Sequence, residues 1–271
     1  MLSRHLDRRS FLKAASASSL ALSGSGFTRS ALAQQKQIVV MTWGGLWGDK
    51  IREGVDSAFE ATIGVKVVQD RSASPVERIT KLKISLGDQN VDLVQLHDGL
   101  VPLAIKQGVL EKLDEKSPRL SYLSDVSPQF RNDHWVGMIF SAIGVTYNKK
   151  LVKNPPTSFA DLWRPEFKGR IILPEISHSI GTYIVPIGAL AQGTSVKDEE
   201  VGFDMLKRMV ELQPIFTKDT DTIMNAFRTE EAVIGLLYKS QTYTVQDWGA
   251  PVEWVYPKEG AIVYLSGTAI A

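Results

Sequence analysis

Trp43 and Gly45 follow the apolar run 37–42, His97 and Asp98 follow 91–96, and Glu175, Ser177 and His178 follow 170–173. Tyr238 comes directly after 233–237, and Tyr264 lies within 262–271. Aromatic faces, a few carboxylates and glycine-lightened turns of this kind suit recognition of a small molecule in a cleft. They do not suit covalent catalysis. The chain has no cysteine, which removes a thiol nucleophile and a thiolate metal site. No Gly-x-Ser-x-Gly elbow accompanies the serines, and the four histidines, His5, His97, His134 and His178, lack metal-ligand spacing. No catalytic residue, metal site or cofactor is therefore expected.

Each of these positions has a plainer structural reading as well. Trp43 equally suits a core aromatic, and His97 a hydrogen-bonded loop histidine. Asp98 and Glu175 have the types of helix caps or first-turn acids. The turn 177–182 is either a plain helix entry or a place where free backbone N–H groups hold an anion.

Strands and helices must bring these positions together, and the pattern for them is regular. Residues 37–42 read as a buried strand, broken by Gly44 and Gly45. Ile51, Val55, Ala58 and Phe59 recur at helical spacing over 49–62, with Gly64 to close the helix. Residues 65–68 form a second strand. Ser74, Pro75 and Glu77 give a strong helix start, with Val76, Ile79, Leu82 and Leu86 as its inner face up to Gly87. A third strand over 91–96 and a short helix ending near Gly108 follow. This alternation predicts a mostly parallel sheet with helices on both faces. A long apolar, glycine-interrupted stretch spans 135–147 and opens a second α/β series. That series has a short helix from Ser158, strands at 170–173, 233–237, 252–255 and 262–271, and helices at 182–192, 199–212 and 221–230. In open sheets of this type ligands sit beyond the carboxyl ends of the strands, where the chemically able residues fall.

The first thirty-three residues read differently. Arg8 and Arg9 before Ser10, Phe11, Leu12 and Lys13, a serine- and glycine-diluted apolar middle, and Ala31-Leu32-Ala33 predict an export signal. The paired arginines point to the twin-arginine route, and the remaining chain is expected to work in the periplasm. The whole sequence has 31 basic and 30 acidic side chains with no basic block, which argues against nucleic acid as a partner. No later apolar stretch reaches the length of a membrane span.

Residues 158–174 (SFADLWRPEFKGRIILP) closely resemble the segment after the first domain crossover in ABC-transporter solute-binding proteins of the spermidine/putrescine type. Residues 63–67, 91–94, 142–145 and 256–261 match that family in order and spacing. The resemblance covers nearly all of 37–271. It implies a periplasmic-binding-protein fold: two α/β lobes joined by two crossover strands, near 137–147 and 262–269, that hinge closed on solute. Lobe I is expected over 34–141 with 265–271, and lobe II over 142–264. The implied activity is capture of a small polar solute by a monomeric receptor and its delivery to an ABC-transporter membrane permease. A secreted enzyme on the same scaffold, or a ligand-sensing partner of a membrane receptor, are the alternatives.

The family's solute residues carry over unevenly. Trp43 matches a pocket aromatic, Tyr238 and Tyr264 stand where polyamine binders carry aromatics, and Glu175 lies near an acid that holds an amine. Leu46 and Gly99 fall where aromatics are expected, and His97 where a serine is. Ser266 replaces an aspartate that pairs with the cationic amine. The resemblance therefore implies weak polyamine binding; an amine, a zwitterion or a small anion remain as solute classes. The family also continues past the second crossover with helices that complete the first lobe. A fragment or a truncated gene product, with part of lobe I uncovered, is the corresponding expectation.

Overall fold

The computed structural model describes residues 36–71, 74–88 and 90–271, so the expected export segment lies outside the described residues. β1 (Gln37–Met41) leads into α1 (Gly45–Ile51), a π-helical turn (Arg52–Asp56) and α2 (Ser57–Ile63). β2 (Lys66–Asp70), α3 (Pro75–Ile84), β3 (Leu93–His97) and α4 (Val101–Lys106) complete the first series. β4 (Arg131–Asn132) and the fourteen-residue β5 (Trp135–Asn148) follow. The second series contains β6 (Ile171–Pro174), α5 (Ile184–Ala191), α6 (Glu199–Glu211), β7 (Ile215–Thr217), α7 (Thr220–Arg228), β8 (Ile234–Tyr238), α8 (Lys239–Asp247), β9 (Val252–Val255) and β10 (Ile262–Ile270).

The sheet is mixed rather than mostly parallel. Its order is β2-β1-β3-β10-β5-β8-β6-β7, with β4 and β9 added to β5. β2, β1 and β3 are mutually parallel, and so are β8, β6 and β7. Between these two groups run β10 and β5, antiparallel to each other and to both neighbours. The alternating pattern reports the βαβ units correctly but is blind to the two long strands that stitch them together.

Separate cores form on either side of that stitch. One packs Met41, Ile79, Leu82, Leu96 and Val101 with Trp135 from β5 and Ala269 from β10. Another packs Phe159, Leu173, Ile187 and Leu236 with Ile143 from β5 and Tyr264 from β10. The same two strands thus enter both halves, which is the two-lobe, two-crossover arrangement. Their pairing is irregular at one point: Ser266 faces Ile139 but Gly267 faces Gly137, leaving Met138 as an extra residue. A side chain at Gly267 would run into the Val136 carbonyl and the Trp135 indole, so only glycine fits there.

Two local expectations need correction. The helix expected over 49–62 starts at Gly45, and its apolar stripe does not face inward: Ile51 is buried, but Val55 and Phe59 are 49% and 36% exposed. The π-helical turn is the cause. It inserts one residue per turn relative to an α-helix and so rotates the following face; Asp56 is turned inward instead and accepts a hydrogen bond from Gln69. Likewise α3 ends at Ile84, so Leu86 lies beyond it and is exposed.

Candidate ligand-binding site

The α3 terminus forms as its sequence dictates. The Ser74 hydroxyl accepts from Glu77 N–H, and the Glu77 carboxylate accepts from Ser74 N–H at 2.8 Å. Pro75, Arg78, Ile79 and Leu82 then share the buried face, spaced i, i+3, i+4 and i+7. Arg78 is therefore a cation where the pattern calls for an apolar side chain. It is only 1% exposed, and its Nη1 donates to the Gln95 carbonyl at 2.6 Å. Its guanidinium carbon lies 4.6 Å from the Trp43 ring centroid. Burial pulls its pKa down to about 10, with Tyr264 and Asp70 opposing the fall, so it stays charged at neutral pH.

Arg78 opens onto a cavity of about 730 Å³, a size suited to a metabolite. The first lobe contributes Trp43, Gly45 and the start of α3; the second contributes His178, Ser179, the start of α7 and Tyr238. Tyr264 and Ser266 from β10 complete the wall. The Tyr238 and Tyr264 ring centroids are 4.8 Å apart. Burial raises the pKa of both phenols, that of Tyr264 to about 12, so both remain protonated. The Ser266 hydroxyl is buried in this wall without a hydrogen-bond partner.

Bonds join the two lobes at the cavity and beside it. The Trp43 indole N–H donates to the Ser179 hydroxyl at 3.1 Å, and the Tyr183 hydroxyl donates to Asp98 at 2.6 Å. Asp221, at the start of α7, accepts from Leu46 N–H at the start of α1, while burial raises its pKa. Gly45 makes this last contact possible. Its φ of +58° is in the region glycine favours, and a Cβ there would collide with the Asp221 carboxylate.

Of the expected site residues, His97, Asp98, Glu175 and Ser177 stand apart from the cavity wall. His97 lies behind it, fully buried with both ring nitrogens unpartnered, against Tyr264 and Tyr183 at centroid distances of 5.7 and 6.0 Å. Burial, with His178 and Arg78 adding repulsion, lowers its pKa to about 4. Asp98 is engaged by Tyr183. Glu175 serves through its backbone, donating to Thr217 and accepting from His178 N–H. The Ser177 hydroxyl is buried and unpartnered. His178 does line the cavity, and its tautomer is fixed: Nδ1 accepts from Ile180 N–H at 2.9 Å, so Nε2 carries the proton toward the Thr220 hydroxyl at 3.0 Å. Burial lowers its pKa to about 4.

Arg78 and Asp221 are the site residues that sequence patterning passes over. For Arg78 a signal existed, a charged residue in the apolar stripe of a well-capped helix. Asp221 carried none, because its partner is a backbone amide 175 positions earlier in the chain, Leu46.

The model for bacterial extracellular solute-binding proteins matches residues 55–271. The spermidine/putrescine-binding periplasmic protein of Escherichia coli (strain K12) is 26% identical over 233 residues, covering 83% of this chain and 66% of that protein. The corresponding protein 1 of Haemophilus influenzae is 23% identical, covering 64% of its length. The chain thus spans slightly under two thirds of the curated relatives it matches. Among solved structures, an ABC transporter substrate-binding protein from Bradyrhizobium japonicum aligns with a TM-score of 0.74 at 18% identity, covering 87% of this chain and 72% of that one. The periplasmic binding protein AgtB of A. tumefaciens R10, solved with agropinic acid, aligns with a TM-score of 0.72 at 21% identity and the same coverage. A match over most of its length, a two-lobe fold and an interlobe cavity agree: the chain belongs to the bacterial extracellular solute-binding protein family.

Proposed function

We propose that this protein is an exported receptor that captures a small polar solute between its lobes and delivers it to an ABC-transporter permease. The observation that carries the reading is the cavity itself: both lobes supply its wall, a Trp43–Ser179 bond joins them at that wall, and an Asp98–Tyr183 bond joins them beside it. Bonds that exist only when the lobes meet favour the closed form, and a solute contacting both walls adds to that preference. Lobes over 34–141 with 265–271 and over 142–264 fit this reading, with the hinge at the irregular β5/β10 pairing around Met138 and Gly267. Trp43, Gly45, His178, Tyr238, Tyr264 and Ser266 form the solute surface. His97, Asp98, Glu175 and Ser177 support it from outside.

The test is a thermal-shift screen of the exported form against amines, amino acids, carboxylates, phosphates and sugars. A true solute stabilises by about 2.7 kcal/mol at a hundred times its dissociation constant. No stabilisation by any class would sink the receptor reading.

A further inference from the structure

The contacts between the lobes are of two kinds. Trp43, Ser179, Leu46 and Asp221 all line the cavity, so the Trp43–Ser179 and Leu46–Asp221 bonds sit where a solute can reach and compete with them. Tyr183, Asp98 and Gly99 do not line it. There the second lobe meets the first through one phenol, which makes two bonds at once. Its O–H donates to Asp98 Oδ1 at 2.6 Å, and its oxygen accepts from Gly99 N–H. The 2.6 Å separation is that of a charge-assisted O–H···O bond. Burial, with Asp98 adding to it, holds the Tyr183 pKa well above the usual phenol range, so the proton stays on the phenol.

Each end of the contact is held by its own lobe. Asp98 and Gly99 open the turn that follows β3, whose last residue, His97, pairs with Ser266 of β10. Tyr183 closes the turn Gly181–Tyr183 that leads into α5. Its ring centroid lies 6.0 Å from that of His97 and 6.4 Å from that of Tyr264. Gly99 permits the close approach: a Cβ there would stand 3.2 Å from His97 Nδ1 and 3.6 Å from Thr182 Oγ1. Opening of the lobes parts the phenol from both partners, with or without solute. Because no residue of the cavity wall takes part, these bonds weigh on the open–closed balance of empty and loaded protein alike. Resting on the receptor reading above, we propose that Tyr183 is an interlobe latch, whose two bonds keep a measurable share of the solute-free protein closed.

The chain has no cysteine, so Lys106→Cys on α4 and Arg208→Cys on α6, both exposed, accept one spin label on each lobe and nowhere else. Pulsed electron resonance on protein denatured and refolded to strip co-purified solute then reads the interlobe distances. The parent should show a population at the distance of the closed structure beside a displaced one. Tyr183→Phe keeps the ring and loses both bonds, and should lower the ratio of closed to open about tenfold, the scale of one hydrogen bond to a charged group. Asp98→Asn keeps an acceptor oxygen without the charge and should lower the ratio by less. No closed population in the parent, or a ratio that neither variant moves, would overturn the latch. A lower melting temperature with an unmoved ratio would do the same, since it marks a merely structural contact. If Tyr183→Phe does not fold, Asp98→Asn decides through the same ratio. A latch overturned while the thermal-shift screen finds a solute leaves the receptor reading intact. A screen without any solute sinks that reading whatever the ratio shows.

Discussion

His97 and His178 are both held neutral by burial, each with a pKa lowered to about 4 from 6.5. In the unfolded chain each takes up a proton near pH 6.5, while the folded chain refuses it until about pH 4. The unfolded state therefore binds more protons across that window, and stability rises with pH through it and is lost as pH falls. Each histidine adds a slope of up to about 1.4 kcal/mol per pH unit. Urea melts between pH 4 and 6.5 should show this slope, and His97→Leu should remove roughly one proton's share. A parent profile flat over the window would mean that the imidazoles titrate normally. At this scale the sequence indicated where chemistry collects: the strand-end positions Trp43, His178 and Tyr238 do reach one cavity. It did not separate them from Asp98 and Glu175, because strand-end placement is shared by all five. Only tertiary packing assigns Asp98 to Tyr183 and Glu175 to backbone bonding.

Helix α3 links local chemistry to the site, since its capping box fixes the first turn from which Arg78 projects. Ser74→Ala should lower stability by about 1 kcal/mol, measured by thermal or denaturant melts. An unchanged melting profile would show that the capping box adds nothing to the stability of α3. Elements with punctuation of this kind were legible: the α3 start, β9 over Val252–Val255 and the Ser158 helix start all coincide with their signals. Helix α8 was not, because it buries only Thr242 and Val245 and so shows no apolar stripe. β7 is three residues long, too short for alternation to register. The α1–α2 face was misread because a single π-helical turn shifts the phase of everything after it.

On the scale of the whole molecule, the βαβ groups follow from the alternation of strand and helix. The antiparallel β5/β10 pair does not, since pattern along a chain says nothing about the direction in which a distant strand returns. Only the family resemblance supplied the two crossovers. Their bulge at Met138 and the tight passage at Gly267 lie where the two cores meet, which is where the proposed receptor would hinge. Solute binding should therefore rotate the lobes as rigid bodies. Small-angle scattering should register a smaller radius of gyration at saturation; an unchanged value would place the solute in an already closed form.

Trp43 carries a consequence of its own. Its ring lies beneath a guanidinium, and its indole N–H is bonded to a hydroxyl of the opposite lobe. If the lobes open as proposed, each opening must break that bond and bring water to the ring, so the indole's emission colour and brightness become a built-in clock. The rate at which this fluorescence changes after mixing or dilution would time the opening step itself, on an unlabelled protein, with Trp43→Phe as the silent control.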